Sequence, residues 1–173
     1  MAIVSLVSIL SVGPTYAYLK MIVDTPAYNS FSVSPSVNPA VVTESGATKV
    51  NAGDTQGYSV YVRAAIVGTW RDSEGNVLGT VPGYQVTGTS ANWQSGSDGY
   101  YYYKLPLASA GTTDTLLTAC TATTTPPEGA VFHYDVLVES IQALGKRDTQ
   151  WAVEEVWGCT VAADSSITPP SAG

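Results

Sequence analysis

Residues 58–70 read YSVYVRAAIVGTW, and the fold turns on this stretch. Tyr58, Val60, Val62, Ala64, Ile66 and Trp70 fall on one face, and Ser59, Tyr61, Arg63 and Thr69 on the other. A period of two sustained this long predicts a half-buried β-strand. Residues 130–141 alternate again, with Phe132, Tyr134, Val136 and Val138 inward. Between the two runs, Asp72-Ser73-Glu74-Gly75-Asn76 reads as a hairpin loop, its Gly available for a positive φ. Short strands are expected at 77–81, 84–87, 100–107 and 112–125, with a turn at Asp98-Gly99 and another over Asn51–Asp54. Many short strands separated by polar turns predict an all-β protein: a jelly-roll or Ig-like β-sandwich with one short C-terminal helix. The helix is expected near 149–157. Asp148 or Thr149 supplies the cap, Val153, Val156 and Trp157 the apolar stripe, and Gly158 the stop. The sandwich spans 38–161, and the Pro/Ser-rich tail 162–173 is expected to be flexible.

Composition supports this class and excludes others. Of 173 residues 12% are charged, about half the usual share. Thr, Ser, Gly, Val and 11 tyrosines fill the gap, and β-branched and aromatic side chains suit a pleated surface. The net charge is −7 with 7 scattered basic residues, which argues against a nucleic-acid partner, since phosphate binding needs a Lys/Arg patch. No P-loop, dinucleotide fingerprint, CxxC pair or HExxH motif occurs, and no cofactor is expected.

The N-terminal run Ala2–Val12 (AIVSLVSILSV) is apolar but too short to span a bilayer. Gly13-Pro14 breaks it, and Thr15-Tyr16-Ala17 places a small residue at each end. This is the pattern of a secretory signal peptide over 1–17, although no Lys or Arg precedes the run. Cleavage is expected between Ala17 and Tyr18, with the uncut signal as the chain's only link to a membrane. The mature protein is expected to be secreted, to the extracellular matrix or the cell surface. It would begin with an arm, 18–37, that carries Leu19, Ile22, Val23, Tyr28 and Phe31 as apolar anchors and Pro26 and Pro35 as interruptions. In an exported protein the pair Cys120 and Cys159 predicts a disulfide, which for a loop of this length contributes about 4 kcal/mol; two buried thiols are the alternative.

Candidate chemistry is sparse. His133, the sole histidine, shares a strand face with Asp135 and Glu139. These three are weak metal candidates, because a catalytic zinc normally takes two His or a His/Cys set, and Val131 and Leu137 share the face. A solvated strand face is the better reading. The sequence has no serine-nucleophile elbow, so no catalytic residue is expected. Trp93 and the run Tyr100–Tyr103 raise a carbohydrate-stacking reading, but tyrosines on a strand alternate, so two point inward and two out. The loop 72–76 lacks the full spacing of a calcium loop.

Several segments, taken in order, resemble the TasA/camelysin family of exported fibre-forming proteins of Gram-positive bacteria. Thr15-Tyr16-Ala17-Tyr18 is similar to the family's cleavage box, with Pro14 interrupting its Gly-Thr step. Asp24-Thr25 and Phe31 match its "D-T…F" segment, after a longer Leu19–Val23 spacer. Gly53-Asp54 matches its P-G-D turn, with Ala52 in place of Pro, and Val138–Ala143 (VESIQA) matches its late strand. The resemblance covers most of the chain and rests on the order of the motifs. It implies a dedicated signal peptidase of the SipW type, a jelly-roll sandwich, and self-association into extracellular fibres by donation of the N-terminal strand. It also implies one alternative, a camelysin-type metalloprotease; a surface adhesion module that stays monomeric is a further, separate alternative. An arm that folds back onto its own domain remains the alternative to donation.

Overall fold

The computed structural model describes residues 39–143 and 151–171. The expected signal peptide, its Ala17/Tyr18 cleavage point, the anchors Leu19, Ile22, Val23, Tyr28 and Phe31, and the caps at Asp148 and Thr149 lie outside the described residues.

The described chain is all-β with one short helix near its C-terminus. In order it forms β1 (Ala40–Glu44), β2 (Ala47–Asn51), β3 (Val60–Arg71), β4 (Val77–Thr80), β5 (Tyr84–Thr87), β6 (Trp93–Ser95), β7 (Tyr101–Tyr103), β8 (Ala119–Ala122) and β9 (Val131–Gln142). Helix α1 (Ala152–Trp157), β10 (Thr160–Val161) and β11 (Ile167–Thr168) follow.

The alternating run is β3, the centre of a five-stranded antiparallel sheet. On one side β9 pairs with it along its whole length, from Val60 opposite Gln142 to Arg71 opposite Val131. On its other side β7 pairs near Arg63 and Ala64, and β4 near Thr69–Arg71; β6 extends the sheet beyond β7. A second layer is built from the β1–β2 and β5–β8 pairs. The segment before β8 is tied to it through the bridges Thr48–Leu117 and Asn51–Thr112.

Side-chain alternation decides what each face holds. The even face of β3 (Val60, Val62, Ala64, Ile66) packs into the sandwich core with Val50, Trp93, Tyr103, Leu107, Leu116 and Leu117. Its odd face was expected to be solvated. Instead Tyr61 and Tyr102 are buried there beneath Val153, Trp157, Cys159 and Ile167. The cover is the helix and the β10–β11 hairpin, so β3 is buried on both faces over its first half. The helix starts where Trp151 N–H donates to Glu154 Oε2 (2.8 Å) and stops at Gly158, φ +67°, whose N–H donates to the Glu154 carbonyl.

Four expectations need correction. The strand expected over 100–107 is only β7, and Leu107 makes an isolated bridge to Val60. The tail is not loose as far as Ser171: Ile167 is 2% exposed, its N–H donates to the Lys104 carbonyl, and the Pro170 carbonyl accepts from Ser97. Burial of a single isoleucine outweighs the Pro/Ser composition. The strand expected over 112–125 reduces to β8, because its first half makes isolated bridges. Cys120 and Cys159 are both free. They sit in different clusters, Cys120 in the sandwich core and Cys159 under the outer cover, so the five-stranded sheet lies between them.

Candidate functional site

Two features of the five-stranded sheet stand out. The first is a buried cation. Arg63 is 6% exposed on the odd face of β3. Its guanidinium lies 4.0 Å from the Tyr100 ring centre and 4.7 Å from that of Trp157, a cation held between two π faces. Nε and Nη2 donate to Glu139 Oε2 at 2.9 and 2.7 Å, and Nη1 donates to the Tyr102 hydroxyl at 3.0 Å. Asp98 lies 3.5 Å from Nη1 and accepts from the Tyr102 hydroxyl at 2.5 Å. Burial opposes the charge on Arg63, but the bonds from Glu139 and Tyr102 outweigh it and raise its pKa. Burial, with the bond to Asp98, also pushes the Tyr102 phenol upward. Every strong acceptor near the guanidinium is engaged. The cluster ties β3, β7, β9, the 96–99 turn and α1 together, and its Tyr102 hydroxyl, hydrogen-bonded to Asp98, is buried.

The weak metal candidates separate. Glu139 is held by Arg63, and Asp135 accepts from Arg71 Nη2 at 2.6 Å. His133 stands exposed opposite Thr69. Among the described residues no group of three or more metal-ligating side chains converges. The four tyrosines are not a stacking platform: Tyr101 and Tyr103 face the sandwich core, while Tyr100 and Tyr102 face the arginine cluster. Trp93 is buried too, and its Nε1–H donates to the Asp114 carbonyl (3.0 Å). The loop 72–76 closes on itself: Asp72 accepts from Asn76 N–H, Asn76 Nδ2 and Glu74 N–H, bonds that hold its carboxyl below the usual range. It is a hairpin loop, as expected.

The second feature is an open edge. Among the described residues β9 pairs only with β3. The direction of its backbone groups follows from the neighbouring bonds. Ala143 N–H donates to the Ser59 carbonyl (2.8 Å), one step beyond the Val60–Gln142 pair. Val60 instead exchanges both its bonds with Leu107, and the Gly68 carbonyl accepts from Val81. Odd residues of β3 therefore bond β9, and even ones bond the other side. By the same alternation Phe132, Tyr134, Val136, Val138, Ser140 and Gln142 aim their N–H and C=O groups away from β3. The strand has no Pro or Lys, its charges are Asp135 and Glu139, and its pairing with β3 shows no register shift, unlike that of β4. The edge of β1 is likewise unpaired among the described residues.

Sequence reasoning missed both features. Its available signal for the first was Arg63, a charge inside a run of Val, Ala and Ile. For the second, only the topology reveals which strand is outermost. No family model matches the chain, and neither a curated protein nor a solved structure matches it significantly. Among the described residues no helix is long and apolar enough to cross a membrane.

Proposed function

We propose that the chain is an exported structural subunit, one that builds an extracellular fibre or matrix by adding strands of one copy to sheet edges of another. The observation that carries this reading is open strand edges, that of β1 in one layer and that of β9 in the other, each strand having one partner among the described residues. An unpaired edge offers a row of backbone donors and acceptors, and an extended segment that docks there gains hydrogen bonds along its length. Removal of 1–17 frees the arm 18–37 for such a role. The resemblance to the TasA/camelysin family supports both the cleavage and the donation. Pro26 and Pro35 suit an edge position, where a missing N–H is tolerated. The edge of β1 is five residues long, short enough for the proline-free stretch 27–34 of the arm to cover it. A protease of the camelysin type has no observation in its favour, since two of the three candidate metal ligands are bonded to arginines.

Electron microscopy of the protein starting at Tyr18 tests the reading. Fibres are expected, and their loss on deletion of residues 18–30, with the sandwich still folded. Dispersed particles from the intact mature protein overturn it. So does a truncated protein that still grows fibres, because contacts elsewhere would then hold them.

A further inference from the structure

We propose that the β9 edge is a two-fold self-association surface: β9 of one copy pairs antiparallel with β9 of a second copy, joining two five-stranded sheets into one. This contact is distinct from the donated arm and does not depend on it.

Hydrogen-bond parity restricts the pairing. Only even residues of β9 point their backbone groups outward, so an even residue must face an even residue of the second copy. Two registers use the strand almost completely. In one, residues 132–142 pair, and Asp135 stands directly opposite Glu139 of the second copy, and Glu139 opposite its Asp135. Carboxylates facing each other across a ladder are destabilising. In the other register, residues 131–141 pair, and His133 meets Glu139 of the second copy on both sides of the axis. The next shorter register towards the strand's N-terminus sets Asp135 against its own copy. Between the two long registers charge favours 131–141, with Asp135 and Glu139 keeping their own partners Arg71 and Arg63, and the register centred on Val138 pairs only 134–142.

Packing agrees with it. On the core side Val136 faces Val136 across the axis, and Tyr134 faces Val138, an aromatic–β-branched pair of the kind that stabilises sheets. On the outer side Val131, 56% exposed, faces Ile141, and Leu137, 57% exposed, lies diagonal to Leu137 of the second copy. The exposed apolar side chains of β9 thus gain cover in this arrangement. A two-fold contact closes on itself. It yields a dimer, or joins two fibres side by side, and cannot extend a fibre alone.

Cross-linking of the mature chain tests the register. Val136→Cys should form a reducible dimer under mild oxidation, because residues opposite each other in a hydrogen-bonded pair lie about 5.5 Å apart at Cα. Tyr134→Cys should not, since its counterpart lies four positions along. Analytical ultracentrifugation supplies the charge test. His133→Glu should weaken the dimer at least tenfold, while His133→Lys should preserve it, with thermal unfolding unchanged in both. Deletion of 18–30 should leave the Val136→Cys cross-link intact even as fibres vanish. Cross-linking at Tyr134→Cys but not at Val136→Cys overturns the register. A monomer at high concentration, or loss of the cross-link together with the arm, overturns the proposal and leaves the fibre reading standing on its own test.

Discussion

β3 and β9 are the same length and lie side by side in one-to-one register, yet water treats them differently. β3 is buried along nearly its whole course, whereas β9 is mostly exposed or half-exposed. Both sequences alternate, so pattern alone predicts the same half-buried strand for each. The difference is one of position. β3 has neighbours on both edges and cover on both faces; β9 has one neighbour among the described residues. Alternation reports which side chains share a face, and it leaves open how many faces are covered. The burial that a strand acquires comes from chain segments far away in sequence, here α1 and the β10–β11 hairpin.

The hardest way to break the contrast is to remove Arg63. Its guanidinium is what allows a charged residue on the odd face of β3 to be covered at all. Arg63→Ala would strip the Glu139 carboxylate of both guanidinium bonds and leave the Tyr102 hydroxyl with Asp98 alone. Breaking a buried pair from one side costs about 3–5 kcal/mol. Urea unfolding should show a loss of that size, and near-ultraviolet circular dichroism should report freed Tyr100 and Trp157. A loss under about 1 kcal/mol, the range of exposed pairs, would mean the cluster behaves as a surface ion pair.

On the other face the test is steric. Gly68 sits in β3 where an added Cβ would meet Tyr84 Cδ1 at 2.9 Å, Phe132 Cε2 at 3.0 Å and Val81 Cβ at 3.3 Å. Gly68→Ala should therefore destabilise by about 1–3 kcal/mol, the usual cost of overpacking. Equal or greater stability would show that the core closes over this glycine more loosely than its neighbours imply.

Much of the architecture was legible because it is local. The bounds of β3 and β9, the Asp72 loop, and the buried stripe of Val153 and Trp157 all follow from periodicity and turn chemistry. The β1–β2 hairpin was missed although its signal is present: Ser45 and Gly46 both take positive φ, as a tight hairpin turn requires. The cover over Arg63 was not legible. It depends on Ile167 and Trp157 reaching a face that lies about a hundred residues earlier in the chain. The separation of Cys120 from Cys159 has the same origin. Two cysteines in one chain suggest a bridge, and only the three-dimensional arrangement places the sheet between them.

That separation carries a pH signature. Burial pushes the Cys159 thiol up to about 12, with Arg63 pulling weakly against it. An unfolded thiol ionises near its ordinary value, so the folded state holds its proton over a range where the unfolded state loses it. The contribution is fully present below that ordinary value and is lost as pH rises towards about 12. Between pH 7 and pH 10 stability should fall by about 1.4 kcal/mol from this group, and Cys159→Ala should remove that part of the decline. Both thiols should react with a labelling reagent only after denaturation. An unchanged pH profile in Cys159→Ala would place the thiol in contact with water.

The smallest effect sharpens the contrast most. Leu137 stands on the outer face of β9, 57% exposed and opposite Ala65 of β3. In the isolated domain it supports little, so Leu137→Ser should change the unfolding free energy by no more than about 0.5 kcal/mol, the usual range for an exposed site. The equivalent truncation in β3, Ile66→Ala, should cost about 2–5 kcal/mol, because Ile66 lies in the sandwich core. If the β9 edge meets a second copy, Leu137→Ser should nevertheless weaken self-association, since two leucines approach diagonally at the axis. The measurements are urea unfolding and sedimentation on the same samples. A stability loss as large as that of Ile66→Ala would mean that Leu137 is already covered within one chain, and the edge of β9 would then be no freer than that of β3.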